Sequence, residues 1–183
     1  MSIIKEKYHK EAVAKFQEKF GARSAMAVPR ITKVVLNAGI GKFLKEKEAI
    51  DEILSAIKDI SGQKPVMTKA KKSISGFKVR QGQEIGVVVT LRGQRMWNFL
   101  DRLVHSAFPR IRDFQGIDTK FFDSQGNFNI SIKEHIVFPE IAAENAKNIF
   151  GFQVTIVNTA KTKEEGTELF RLLGFPIKKN IQQ

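Results

Sequence analysis

Apolar side chains recur at helical spacing in four stretches of the chain. In residues 4–20 an apolar side chain stands at every fourth position: Ile4, Tyr8, Ala12, Phe16 and Phe20. Residues 46–61 and 94–107 carry comparable stripes, and Gly62 follows the first of these. The sequence Thr162-x-x-Glu165 is a capping box for a last helix, which Gly174 and Pro176 end. The pattern therefore predicts four helices.

Five shorter stretches are predicted to be β-strands, over residues 30–39, 66–70, 84–92, 127–133 and 152–157. The middle of this order resembles the split βαβ plan. We therefore predict an α+β fold with an antiparallel or mixed sheet, helices on one face, and N- and C-terminal helices. We expect a single domain over residues 1–183, with residues 109–122 irregular. Residues 71–83 lack periodicity and predict a long basic loop, which we expect to be functional and mobile.

Side chains alternate between the two faces of a strand. In the first strand we expect one face to carry Thr32, Val34, Leu36 and Ala38 and the other to carry Ile31, Lys33, Val35 and Asn37. In the third, Ile85, Val87, Val89 and Leu91 should pack on helices, opposite Thr90 and Arg92. Amides, hydroxyls and cations without a carboxylate pair well with phosphates, riboses and base edges, so we predict that the polar face contacts RNA. The alternative is an ordinary exposed sheet face whose composition is due to chance.

Charge strengthens the prediction of RNA contact. The chain has 31 Lys and Arg against 19 Asp and Glu, a formal net charge of +12. No acid lies between Glu18 and Glu46 or between Asp59 and Glu84. Such segregation indicates a surface kept free of repulsion toward a polyanion, which is usually nucleic acid and less often an anionic membrane.

Other functional classes find little support in the sequence. The chain has no cysteine, which excludes disulfides and thiolate zinc sites, and no apolar run long enough to span a bilayer. The glycines near Gly39 and Gly41 lack the third glycine of a dinucleotide fingerprint and the remaining residues of a P-loop. His9, His105 and His135 lie far apart and show no metal-ligand spacing. We therefore expect no enzyme activity, no cofactor and no metal.

Several sequence motifs, in order along almost the whole chain, match one family. They are PRI at 29–31, NAGIG at 37–41, IKDISGQKPVMTKAKKS at 57–73, ISGFKVRQG at 74–82, VTLRG at 89–93, FPRIRDF at 108–114 and LGFP at 173–176. The chain thus resembles the bacterial-type large-subunit ribosomal proteins that bind 5S rRNA. The resemblance implies a structural constituent of the large subunit in the cytoplasmic ribosome, bound to 5S rRNA and large-subunit rRNA in the central protuberance. The open alternative is an architectural nucleic-acid-binding protein outside the ribosome.

The resemblance and the predicted polar face together suggest three groups of contact residues. The rRNA-binding candidates are Lys33, Asn37, Gly39, Gly41, Lys42, Gln63, Lys64, Lys69, Thr90 and Arg92. The candidates in the loop that would reach the P-site tRNA are Lys71, Lys72, Ser73, Ser75, Phe77, Lys78, Arg80 and Gln81. The candidates for a bridge to a small-subunit head protein are Pro109, Arg110, Arg112, Asp113, Glu134 and His135.

Overall fold

The structure, a computed structural model, describes residues 2–21, 24–44, 46–77, 79–112, 114–141 and 147–178. Helix α1 runs continuously through Ile3–Lys7, Tyr8–Ala12 and Val13–Phe20, and its middle segment is π-helical. Helix α2 is Lys47–Ser61, and α3 runs through Gly93–Arg102, Leu103–Ala107 and Phe108–Arg110. Helix α4 is Lys163–Leu173, and the Thr162 side chain caps it by accepting from the Glu165 backbone N–H. The four predicted helices are confirmed.

Five strands form one sheet in the order β2-β3-β1-β5-β4. They are β1 Ile31–Gly39, β2 Val66–Lys69, β3 Glu84–Leu91, β4 Phe128–Ile132 and β5 Phe152–Asn158. All neighbouring pairs are antiparallel, which confirms the α+β prediction in its antiparallel form. The order β1-α2-β2-β3-α3-β5 is the split βαβ plan, to which β4 adds a strand at the edge beside β5.

One face of the sheet is buried in the hydrophobic core, and we call it the inner face. Its central strands bury Leu36 and Val89, which share one core cluster with Ile57 of α2 and Phe99 of α3. The phenylalanines of β4 and α4 extend this core, since the rings of Phe128 and Phe170 lie 5.6 Å apart. The other face, called the outer face below, carries side chains that are exposed or half-buried along all five strands.

Three local predictions need correction. Ile31 is buried with the inner-face residues because the pairing of β1 with β5 shifts register between Ile31 and Lys33. The segment predicted to be a plain loop contains a 3₁₀ turn, Ser75–Phe77, and a β-bridge between Ile74 and Val79. The segment predicted to be irregular begins with the end of α3 and contains a second 3₁₀ turn, Thr119–Phe121. In the described part of the chain, no helix combines the length and the apolar character that a membrane crossing requires.

Candidate nucleic-acid interface

The strand register brings two predicted contact residues onto the outer face. Asn37 pairs with Val88 of β3, and Val35, two positions earlier, pairs with Thr90. Val88 and Thr90 are also two positions apart, so Asn37 and Thr90 point to the same side as diagonal neighbours on adjacent strands. Both residues are exposed. The prediction that these two side chains face the same way is confirmed.

Neutral polar groups continue from Asn37 across the sheet. Asn37 pairs with Gln153 of β5, and Gln153 pairs with Ser131 of β4. In the next row, the Thr155 hydroxyl donates a hydrogen bond of 2.7 Å to the Asn129 side-chain oxygen. These amides and hydroxyls form a strip of donors and acceptors across three strands, suited to hydrogen bonding with riboses and base edges.

The outer face also carries valines, which the sequence pattern alone does not assign to a binding surface. Val35 and Val88 are half-buried, and Val66 of the edge strand is 63% exposed and pairs with Val88. Val66 and Val88 therefore lie on the β2 side of the polar strip, and Val35 lies in the row between Thr90 and Thr155. A surface that mixes methyl groups with amides can contact sugars and bases as well as phosphates.

The outer face has no carboxylate among the described residues of the five strands. By strict alternation Glu84 would point the same way as Val88 and Thr90. The register shifts opposite it, between Thr68 and Lys69, and Glu84 lines a groove of about 380 Å³ together with Asp51 of α2. The irregularity thus turns the one strand carboxylate toward a helix, away from the polar strip.

Gln63 lies at the rim of the outer face because of how α2 ends. Gly62 ends the helix in the left-handed conformation, and the Ser61 hydroxyl then accepts from the Gln63 backbone N–H at 3.2 Å. The Gln63 side-chain amide donates to the Thr90 carbonyl at 3.3 Å. Gln63 and Thr90, predicted from distant parts of the sequence, are therefore neighbours, and Lys64 follows them in sequence and is exposed.

Cations lie at both ends of the central strands. Half-buried Lys33 and exposed Arg92 flank the end where Val34 pairs with Leu91. The other end carries two exposed lysines, Lys42 and Lys69, and two exposed glycines, Gly39 and Gly41. Gly39 pairs with Gly86, so no side chain rises from the sheet at this pair. The arrangement suits a polyanion that crosses the sheet, with neutral groups in the middle and cations at the ends.

The predicted loop prolongs the β2–β3 pair as a hairpin, residues 70–83. Ala70 N–H donates to the Gln83 carbonyl and Gly82 N–H to the Ala70 carbonyl, at 2.8 and 2.9 Å. The Ser73 hydroxyl accepts from Gln81 N–H at 2.9 Å. The other predicted tRNA contacts that the structure describes are all exposed: Lys71, Lys72, Ser75, Phe77 and Arg80. Lys78 lies outside the described residues.

The two regions predicted for the subunit bridge lie together in the structure. Arg112 and Glu134 line one groove of about 190 Å³, with apolar walls that include Ile132 and Val137. Pro109 and Arg110 are exposed at the end of α3, and Asp113 lies outside the described residues. The sequence indicated the two segments separately. In the structure, the residues around Arg112 meet the residues at the end of β4 and the start of the following turn.

His135 differs from the other predicted bridge residues because it is only 1% exposed. Its ring stacks on Phe150 with 4.1 Å between centroids, and its Nδ1 accepts from the Phe150 backbone N–H at 3.5 Å. Burial lowers the pKa of His135 below its usual value. Its side chain is therefore placed to fix the turn after β4 and is not presented to a partner.

Glu52 of α2 fixes the neighbouring segment and was not singled out by the sequence. Its carboxylate accepts from the backbone N–H groups of Lys147 and Asn148 and, at 2.8 Å, from the Asn148 side chain. Burial alone would raise the pKa of Glu52, but the hydrogen bonds from Asn148 and Lys147 outweigh burial and lower it. No set of three His, Asp or Glu side chains suited to holding a metal ion occurs in the parts of the chain that the structure describes.

Comparison with known proteins gives a consistent result along the chain. The family described as "Ribosomal protein L5" matches residues 24–80, and the C-terminal region of the same ribosomal L5 family matches residues 84–177. A protein of Halothermothrix orenii is 49% identical over 176 residues, 96% of this chain and 98% of its own. A protein of Marinomonas sp. is 46% identical over 179 residues, 98% and 100% of the two chains, and one of Carboxydothermus hydrogenoformans is 46% identical over 176 residues, 96% and 98%. All three are named "Large ribosomal subunit protein uL5".

Proposed function

The chain belongs to the ribosomal protein L5 family, and from this we propose that its outer sheet face binds 5S rRNA within the large ribosomal subunit. Proteins of this family are structural, non-enzymatic constituents of the large subunit in the cytoplasmic ribosome. On this proposal the protein orders and positions 5S rRNA in the central protuberance and also contacts large-subunit rRNA.

The observation that carries the proposal is the outer face itself. Asn37 and Thr90 are diagonal neighbours near its centre, Gln63 joins Thr90 from the rim, and the described strands present no carboxylate there. Cations flank this centre at both ends of β1 and β3. Phosphate contacts supply most of the affinity of such a surface and fix its orientation, and the amides and hydroxyls recognise riboses and bases.

The hairpin has a separate role in the proposal, which is contact with the P-site tRNA. Lys71, Lys72 and Arg80 are exposed, and no described carboxylate forms an ion pair with them. They are therefore available to phosphates. The hairpin extends past the sheet on the β2 edge, so it is able to bind a second RNA without displacing the first.

The groove beside Arg112 and Glu134 supports the third contact, with a small-subunit head protein. A cation, an anion and apolar walls in one small groove match a protein segment better than a nucleic-acid backbone, since Glu134 would repel phosphate. This part of the proposal rests on one groove of about 190 Å³.

Binding to 5S rRNA should be measured as a function of salt. About six phosphate contacts would give a log–log slope of about −4 to −5. A flat response would remove the electrostatic basis of the proposal. Co-sedimentation with large subunits should accompany a competition experiment with double-stranded DNA. If DNA competed as well as 5S rRNA did, the protein would be a general architectural protein.

Replacing Lys71, Lys72, Lys78 and Arg80 together by alanine tests the division of labour. Translation by reconstituted ribosomes should weaken more than 5S rRNA affinity. Equal loss of both activities would contradict separate roles for the hairpin and the sheet face.

A further inference from the structure

An apolar groove of about 650 Å³ lies between the hairpin and the turn after β1. The hairpin contributes Ile74, Phe77 and Val79, and the sheet side contributes Leu44 and Ile85. Its volume is in the range of sites for small ligands, about 300–1,000 Å³. Part of its wall faces water in the free protein, because Phe77 is 77% exposed and Ile74 is 49% exposed.

The hairpin holds this wall in place through its own hydrogen bonds. Ile74 N–H donates to the Val79 carbonyl at 2.9 Å, and Val79 N–H donates back at 3.2 Å. The Phe77 N–H donates to the Ile74 carbonyl at 3.3 Å and closes the 3₁₀ turn. An exposed phenylalanine on a hydrogen-bonded turn costs less conformational entropy on binding than one on a disordered segment.

The rim of the groove is positively charged. Lys71 and Lys72 line it directly, and neither forms an ion pair among the described residues. Gly41 and Ala70, also in the lining, are followed and preceded in sequence by the exposed Lys42 and Lys69, at the end of the central strands. The groove therefore lies next to the cations at one end of the proposed RNA-binding surface.

We propose that this groove binds one unstacked nucleobase of an RNA strand, with the adjoining phosphates on Lys71 and Lys72. A nucleotide combines a flat apolar ring with an anion a few ångströms away, and the groove offers an exposed aromatic ring and apolar walls beside two exposed cations. The inference rests on the proposed function, because it specifies what the hairpin recognises in an RNA that the protein is already proposed to bind.

The test uses the full chain and two probes of equal charge, a ten-residue oligoadenylate and a ten-residue abasic RNA. Wild-type protein should bind the oligoadenylate about 10- to 100-fold more tightly, the range expected for stacking of one base. Phe77→Ala should abolish most of that preference and leave abasic binding unchanged. Replacing Lys71 and Lys72 by alanine should weaken both probes alike.

A second variant blocks the groove and leaves Phe77 in place. The position of a Cβ on Gly41 has no other atom within 4 Å, and Gly41 does not need a left-handed backbone, so Gly41→Leu should fold normally and fill the groove. It should remove the preference for bases as Phe77→Ala does. Ile149→Ala is the matched control, since Ile149 is an exposed apolar residue that does not line the groove, and it should keep the preference.

The outcomes separate this inference from the proposed function. Equal, salt-dependent binding of both probes would overturn the base site and leave phosphate binding intact. A preference for bases that survives Phe77→Ala and Gly41→Leu would place the bases elsewhere. Displacement of oligoadenylate by an equally charged acidic peptide containing one Phe, as effectively as by oligoadenylate itself, would assign the groove to a protein ligand. Failure of both RNAs to bind would overturn the base site and the phosphate contacts of Lys71 and Lys72, while the titration with 5S rRNA would still decide the proposed function of the outer face.

Discussion

Cations occur throughout the chain, but two regions differ in whether the cations form ion pairs. Every ion pair among the described residues lies outside residues 30–95. In α1 and α4, Glu168 holds Lys19 at 2.8 Å and Arg171 at 2.7 Å, and Lys10 and Lys15 each contact a glutamate one helical turn away. The hairpin and the outer-face residues of β1, β2 and β3 belong to the region without ion pairs, and none of the described ion pairs involves β4 or β5.

Net charge alone therefore does not locate a binding surface. A paired cation gives up part of its attraction for phosphate, because the neighbouring carboxylate repels the same phosphate. A cation without a carboxylate beside it keeps that attraction. Among the described residues of this molecule, cations without an ion pair lie at the ends of the central strands, and the paired ones lie on helices and turns.

The largest expected effect is a difference in 5S rRNA affinity between two variants that lose the same number of charges, one from each region. Replacing Lys42, Lys64 and Lys69 by alanine lowers the net charge from +12 to +9, because three positive charges are lost. We expect affinity for 5S rRNA near 0.1 M salt to fall about tenfold per lysine, or roughly 4 kcal/mol in all, and the salt slope to flatten by about 2 to 3. Titrations at several salt concentrations measure both quantities.

The matched control for the charge test replaces Lys10, Lys15 and Lys120, which also removes three charges but takes them from ion pairs. It should change affinity far less. If the two triple variants weakened binding equally, net charge alone would explain binding, and the contrast between the two regions would fail. In both variants each substitution should change the free energy of unfolding by no more than about 0.5 kcal/mol, because the side chains lie at the surface.

The two faces of β3 allow a second contrast between adjacent residues. Val89→Ala removes buried methyl groups and should cost about 2 kcal/mol of unfolding free energy, with little effect on the RNA affinity of folded protein. Thr90→Ala and Asn37→Ala should leave stability within about 0.5 kcal/mol but cost about 1–3 kcal/mol of binding, because RNA groups would lose a partner. Denaturant unfolding and RNA titration measure the two effects. Normal RNA binding by a strongly destabilised Asn37→Ala or Thr90→Ala would reverse the assignment of the faces.

The sequence predicted what short-range patterns determine. Helix bounds followed from apolar stripes and from glycines such as Gly62 and Gly174, which end α2 and α4 in left-handed conformations. The two faces of β4 and β5 followed from alternation, because the pairing between these strands stays regular. The polar strip of the candidate interface was predictable for the same reason.

These short-range patterns did not predict where the pairing between strands becomes irregular. The register shifts beside Ile31 and opposite Glu84 move one side chain into the core and the other toward α2, and both depend on the partner strand. Strict alternation assigns a side chain to a face only while the pairing stays in register.

Long-range contacts were also beyond the sequence. Nothing near Lys19 indicates that Glu168, far along the chain, binds it, or that Arg112 and Glu134 share a groove. The burial of His135 follows from a 3₁₀ turn, His135–Val137, which has no periodic signature. These sites depend on packing between separate elements, so the candidate bridge was predicted less completely than the sheet face.

Substitutions in the ion pairs of α1 and α4 should lower the free energy of unfolding and leave RNA affinity unchanged. Glu168→Gln removes the charge that Lys19 and Arg171 share and keeps the side-chain size. We expect a loss of about 1 kcal/mol of unfolding free energy, a modest value because both cations are half-exposed and regain water. Glu164→Gln, on an exposed residue of the same helix, is the control and should change stability by under about 0.5 kcal/mol. A clear drop in 5S rRNA affinity for Glu168→Gln would mean that α4 belongs to the RNA surface.

The last prediction concerns pH and the buried His135 next to Glu134. Burial lowers the pKa of His135 in the folded protein, so the unfolded chain binds a proton more readily as the pH falls below the ordinary histidine value of 6.5. Folded-state stability should therefore decline as pH is lowered from about 7.5 to 5.5, by at most about 1.4 kcal/mol per pH unit for one such group.

Glu52 acts in the same direction at lower pH. Its pKa is lowered in the folded protein, so the stability it contributes is present above the ordinary value of 4.5 and is lost as the pH falls further. Measurements above pH 5.5 therefore separate the response of His135 from that of Glu52. His135→Asn keeps a hydrogen-bond acceptor near Nδ1 without a titrating ring, so its melting temperature should vary less with pH than that of the parent protein, even though its absolute stability is lower. If His135→Asn retained the full decline, the pH response would come from other groups and the buried imidazole would have no part in it.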